Sequence, residues 1–120
     1  MASILVIDDE ELTRSFLRTT LERGGYQVVE ASTAQEGIRQ YHESSIDLVI
    51  TDILMPDKDG IGLIIELKRE FPDVKIIAIT GGGRDLNFLD AAKLLGAHQC
   101  LTKPFSREKL LEVIQSSLEE

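Results

Sequence analysis

The segment Leu48-Val49-Ile50-Thr51-Asp52-Ile53-Leu54-Met55-Pro56-Asp57-Lys58-Asp59-Gly60-Ile61 changes character twice. It starts as an apolar run without polar alternation, the pattern of a strand covered on both faces. Asp52 ends that run. Pro56 and Gly60 then mark a turn. Beyond it Ile61, Ile64, Ile65 and Leu67 lead at helical spacing to Phe71, and Pro72 closes the segment. Strand, acid, turn and helix make one βα unit with a carboxylate at its joint.

The same unit recurs on both sides. Strands are expected at 4–7, 27–31, 48–51, 75–80 and 99–101. Between them, Leu12, Phe16, Thr20 and Leu21 form a helical stripe that stops at Gly24-Gly25. Thr33 and Glu36 resemble a capping box ahead of Ala34, Ile38 and Tyr41. Leu86, Leu89, Lys93 and Leu94 precede Gly96, and Ser106 can cap a last helix carrying Leu110, Val113, Ile114 and Leu118. This alternation predicts a single α/β domain over residues 1–120: a doubly wound parallel (βα)5 sheet with helices on both faces. In the flavodoxin-like order 2-1-3-4-5, the first and third strands are neighbours at the switch point.

Sites in open α/β sheets form outside the carboxyl ends of the strands. The residues delivered there are Asp8, Asp9, Glu10 and Glu11 from the first strand, Asp52 from the third, Thr80 from the fourth and Lys103-Pro104 from the fifth. Asp8, Asp9 and Asp52 would share one crevice, where their repulsion raises at least one pKa unless a cation is bound. Oxygen ligands without His or Cys nearby favour a hard ion, and Mg²⁺ with several retained waters fits best. Lys103 adds a mobile positive charge and Thr80 a hydroxyl donor. Together these groups make a phosphoryl-transfer site that works by positioning and charge neutralisation.

Taken singly, each group has an ordinary reading. Asp8-Asp9 can cap a helix, Asp52 and Thr80 can be turn residues, and Lys103-Pro104-Phe105 can lead into the last helix. Complementary groups from four strand ends favour the joint reading. His42 and His98 stand apart from each other and from Cys100 in any metal-ligand spacing, and read as structural.

Composition narrows the class. A formal net charge of −8 argues against nucleic-acid binding, and suits a cation site or plain solubility equally. Cys100 is the only cysteine, which excludes an internal disulfide and points to a reduced, cytoplasmic setting. Met1-Ala2-Ser3 carries no basic leader, and no apolar run approaches the ~20 residues of a membrane helix.

Four motifs in order, Ile7-Asp8-Asp9-Glu10, Thr51 to Gly60, Ile76-Ile77-Ala78-Ile79-Thr80-Gly81 and Lys103-Pro104-Phe105, give the whole chain a specific resemblance. It resembles the receiver domains of two-component response regulators. The resemblance implies that Asp52 is the phosphoacceptor and Asp9 the direct acidic Mg²⁺ ligand. It implies Asp8 acting through water and the backbone carbonyl of Leu54 as a further ligand. Thr80 would be the switch hydroxyl, Lys103 the family's lysine, and the Lys103–Pro104 bond cis.

The implied function is a phosphorylation-dependent signalling switch. It would not be an enzyme in the ordinary sense, but would catalyse its own phosphoryl transfer and slow autodephosphorylation. Its donor would be a phosphohistidine on a histidine kinase or phosphotransfer protein. An effector domain or protein would read the face of the fourth helix, fifth strand and fifth helix. Two positions depart from the pattern. Cys100 stands where the family usually has Tyr or Phe, three residues before the lysine, and Gly81-Gly82-Gly83 follows Thr80. These predict that phosphorylation mainly reorders residues 81–87.

Three competing functions are weaker. A flavin carrier would present phosphate donors where this chain has Asp8-Asp9-Glu10-Glu11. A phosphatase using an aspartyl-phosphate needs a second acid two residues after the nucleophile, and that position is Leu54. A degenerate receiver that only binds partners would not need the intact constellation.

Overall fold

Each apolar run is a strand in the computed structural model, which describes residues 1–53, 60–80, 93 and 96–119. In chain order the elements are β1 (Ser3–Ile7), α1 (Glu11–Arg23), β2 (Gln27–Ala31), α2 (Ala34–Glu43), β3 (Leu48–Asp52), α3 (Gly60–Glu70), β4 (Ile76–Thr80), β5 (Gln99–Thr102) and the last helix, here α4 (Arg107–Glu119). The strands form one all-parallel sheet in the order β2-β1-β3-β4-β5, the flavodoxin-like order expected. The helix expected between β4 and β5 lies outside the described residues except for Lys93, which is helical. Gly81-Gly82-Gly83 and Leu54 also lie outside them.

Strand periodicity divides the core into two layers. Leu5, Ile7, Val49, Ile76 and Ala78 point to one face, where Ala34 of α2 and Leu63, Ile64 and Leu67 of α3 cover them. Ile4, Val6, Leu48, Ile50, Ile77 and Ile79 point to the other, under Leu17 and Leu21 of α1 and Leu110, Val113 and Ile114 of α4. Successive side chains alternate faces, so two layers explain why the runs show no polar alternation. Full burial of each such side chain stabilises the fold by roughly 1.5–3 kcal/mol.

Two helical stripes differ from expectation. Leu12 is 86% exposed and Phe16 is also exposed, while Leu17 joins Thr20 and Leu21 inside. At about 100° per residue Leu12 falls opposite Leu21, so the two cannot share a buried face. Leu12 and Phe16 instead border a shallow apolar hollow with Thr13, Lys103, Pro104 and Phe105. In α3, Ile65 is exposed and Leu63 takes the buried place, four residues before Leu67.

Helix ends follow local chemistry. The Thr33 side chain accepts the Glu36 N–H at 3.1 Å, as an N-cap should, while the Glu36 carboxylate lies 3.5 Å from the Ser32 hydroxyl. Ser106 accepts the Lys109 N–H at 3.0 Å and starts α4. α1 ends at Gly24, and Gly25 follows with φ +92°, a left-handed conformation that glycine adopts without penalty. Inside α2, a Cβ on Gly37 would collide with the Ile7 side chain, so the glycine sets how closely α2 lies on β1.

Candidate functional site

Strand register builds the site. Ile7 pairs with Thr51 and Asp52 with Ile79, so Asp8 and Asp52 emerge side by side at the carboxyl ends of β1 and β3. Thr80 pairs with Thr102 in β5, and Lys103 follows immediately. The Lys103 N–H donates to the Thr80 carbonyl at 2.7 Å, and the Lys103–Pro104 bond is cis, as the family resemblance implied. The lysine stem turns back over the strand ends. Its Nζ lies 3.4 Å from Asp52 Oδ2 and 3.8 Å from Glu10 Oε1.

Asp8 is 1% exposed and Asp52 8%. Asp8 Oδ1 accepts the Glu10 N–H at 2.9 Å, whereas Asp8 Oδ2 is buried with no hydrogen-bond partner. Burial pushes the Asp8 pKa up to about 6, and the nearby charges of Asp52 and Asp9 push the same way. The Glu10 N–H and Lys103 pull in the opposite direction. The Thr80 hydroxyl is buried at the same rim, also without a partner.

One carboxylate oxygen from each of Asp8, Glu10 and Asp52 lies within 4.8 Å of the other two. Asp9, expected as a direct ligand, is exposed and is not in this group. Two contributors escaped the sequence reading. Glu10 was visible in the acidic run but not distinguished within it. Arg14 gave no motif signal: its Nη1 donates to the Asp8 carbonyl at 2.7 Å, and its Nε donates to Glu30 of β2 at 3.3 Å. Arg14 thereby ties the turn after β1 to the neighbouring strand.

The residues fit a hard divalent cation. The donors are carboxylate oxygens, and Asp8, one of the three residues, has a buried oxygen, Oδ2, without a partner. His42 is elsewhere, 2.9 Å from Glu70 with its ring edge on Phe71, in a surface contact between α2 and α3. Among the described residues no helix is long and apolar enough to cross a membrane.

Comparison with known proteins agrees with this geometry. The sequence model of the response regulator receiver domain matches residues 4–115. The chain is 34% identical over 116 residues to the chemotaxis protein CheY of Bacillus subtilis, covering 96% of each chain. It is 35% identical to the DNA-binding transcriptional regulator NtrC of Azospirillum brasilense, covering 98% of this chain and 24% of that one. A receiver domain protein from Clostridium thermocellum superposes with a TM-score of 0.94 at 37% identity, over 99% of this chain and 95% of that one. The response regulator TrrA of Thermotoga maritima, solved in complex with Mg²⁺-BeF, superposes with a TM-score of 0.88 at 30% identity, over 97% and 98%.

Proposed function

Since this chain belongs to the response regulator receiver domain family of two-component systems, we propose that it is a phosphorylation switch whose acceptor is Asp52. Receiver domains are regulatory switches, and residues 1–120 act as one such domain. The observation that carries the reading is the approach of Lys103 to Asp52 at 3.4 Å, beside the carboxylate of Asp8 and the buried hydroxyl of Thr80.

An oxygen of Asp52 attacks the phosphorus of a phosphohistidine on a histidine kinase or phosphotransfer protein. The P–N bond breaks, an acyl phosphate forms on Asp52, and the electron pair leaves with the imidazole. Asp8, Asp9, Asp52 and the Leu54 carbonyl would hold Mg²⁺, which neutralises phosphoryl charge when bound. Lys103 exchanges its contact with Asp52 for a phosphoryl oxygen. The Thr80 hydroxyl, which has no partner, donates to another. Slow hydrolysis of the acyl phosphate resets the switch. The setting is cytoplasmic. The output is read by an effector domain or protein on the face that β5 and α4 make with the segment between β4 and β5.

The test is incubation with acetyl phosphate and Mg²⁺, followed by intact mass. One phosphoryl group should be added to the wild-type chain and none to Asp52→Asn, since an amide is a poor nucleophile. Equal labelling of the variant would exclude Asp52. No labelling of the wild type by acetyl phosphate or by phosphohistidine donors would favour a receiver that only binds partners.

A further inference from the structure

Glu10 stands at the N-cap of α1, yet its side chain makes no capping bond. Glutamate is a poor choice for that position, where short oxygen-bearing side chains reach the first free N–H groups of the helix. Its carboxylate turns instead toward the strand ends. There one oxygen lies within 4.8 Å of carboxylate oxygens of Asp8 and Asp52, and Oε1 lies 3.8 Å from Lys103 Nζ. Two features make this more than a cluster of acids. Asp8, a member of this group, has a buried oxygen, Oδ2, without a hydrogen-bond partner. Lys103 also contacts both Glu10 and Asp52, so one ammonium links the two carboxylates.

We infer that Glu10 is a further acidic group of the divalent-cation site, beside Asp8, Asp9 and Asp52, and that cation binding draws its carboxylate away from Lys103. This rests on the Mg²⁺ reading above and deepens it. One ammonium shared between two carboxylates, at 3.4 and 3.8 Å, is held back from an incoming phosphoryl group. A divalent cation held at this acidic cluster would satisfy the carboxylates and free the lysine. Glu10 is flexible enough for this exchange, because its side chain is 64% exposed. The cation and the phosphoryl-binding lysine are then coupled through one side chain, so cation binding prepares the site before the donor arrives.

The test is calorimetric titration of MgCl₂ into the wild-type chain, Glu10→Gln, Glu11→Gln and Asp52→Asn, with melting curves recorded in parallel. Glu11→Gln removes the same charge one residue further on. Glu10→Gln should weaken Mg²⁺ binding about fivefold, the weight of one largely exposed charge contact. It should also shrink the Mg²⁺-induced rise in Tm, without lowering the Tm of the metal-free chain. Glu11→Gln should leave the Kd within about twofold, because an acid not facing the ion acts only through a screened field. Equal losses in Glu10→Gln and Glu11→Gln would reduce the effect to general charge and overturn the inference. Unchanged affinity in Glu10→Gln with loss in Asp52→Asn would overturn the role of Glu10 alone. Wild-type affinity in Asp52→Asn would overturn the acidic site itself.

Discussion

The two rims of the sheet are made by the same strands and treat their polar groups in opposite ways. At the amino rim, the Ser3 N–H donates to Asp47 at 2.8 Å and the Ser3 hydroxyl to Gln27 at 3.0 Å, both in exposed positions. Those groups are paired and near water, so the rim costs the fold little. At the carboxyl rim, Asp8 Oδ2 and the Thr80 hydroxyl are buried with no partner, and Asp52 is buried beside them. An unsatisfied buried polar group costs about 1–3 kcal/mol. Stability alone would favour repeating the amino-rim solution at both ends. Among the described residues the other two orphan hydroxyls, Thr20 and Ser117, lie within α1 and α4, where carbonyls one turn back offer partners after a small rotation. Asp8 does not sit within a helix and has no carbonyl one turn back, and an orphan oxygen there suits the cation proposed above.

The sharpest way to break this contrast is to compare the strand bodies with their ends. Ile50→Ala, in the middle of β3, should cost about 2–5 kcal/mol in urea unfolding, through lost burial and the cavity left behind. Asp8→Asn should move the other way in metal-free protein at pH 7. The folded-state pKa of Asp8 is raised from 3.8 to about 6, so the folded chain holds the proton more tightly than the unfolded one. That contribution is present below about pH 4 and is lost as pH rises through 6. Its full size is at most on the order of 3 kcal/mol. Metal-free wild type should therefore lose stability between about pH 4 and 6, Asp8→Asn should lose less, and Mg²⁺ should restore the wild type. A variant as unstable as Ile50→Ala at pH 7 would make the rim structural.

Smaller effects sharpen the same contrast. Arg14→Ala should cost about 1–2 kcal/mol by removing a charge-assisted bond to the Asp8 carbonyl, and should weaken Mg²⁺ binding by loosening that turn. Melting and titration together read both. Asp47→Ala at the amino rim should cost less than about 1 kcal/mol and leave Mg²⁺ affinity unchanged, since its bond is exposed. A change in Mg²⁺ affinity there would dissolve the distinction between the rims.

Much of this was legible because strands delivered it. The unbroken runs at Ile4–Ile7, Leu48–Ile50 and Ile76–Ile79 could only be two-sided strands, and the residue at each end was then bound for one rim. Asp8, Asp52, Thr80 and Lys103 converge for that reason. The faces of α1 and α3 were harder to read. Leu12 and Ile65 are as apolar as Leu17 and Leu63, and only the tilt of each helix on the sheet decides which are covered. Glu10 and Arg14 were hidden differently. Charged residues at the start of a helix usually face water, and nothing in their spacing says that one turns toward Asp52 and the other spans to Glu30. Gly37 gave no signal in the sequence, and its approach to Ile7 shows only in how α2 lies on β1.

The backbone bonds just past the sheet ladder carry a final consequence. The Asp8 N–H is fixed to the Ala31 carbonyl, Ile53 N–H to Ile79, and Lys103 N–H to Thr80, each between 2.7 and 3.1 Å. The strand ends are thus stitched together one step beyond the sheet, like the clenched rim of a setting around a stone. If Asp52 takes up charge as proposed, these bonds resist any opening of the strand ends, and rotation of rim side chains such as Lys103 and Thr80 is the response that leaves the frame intact.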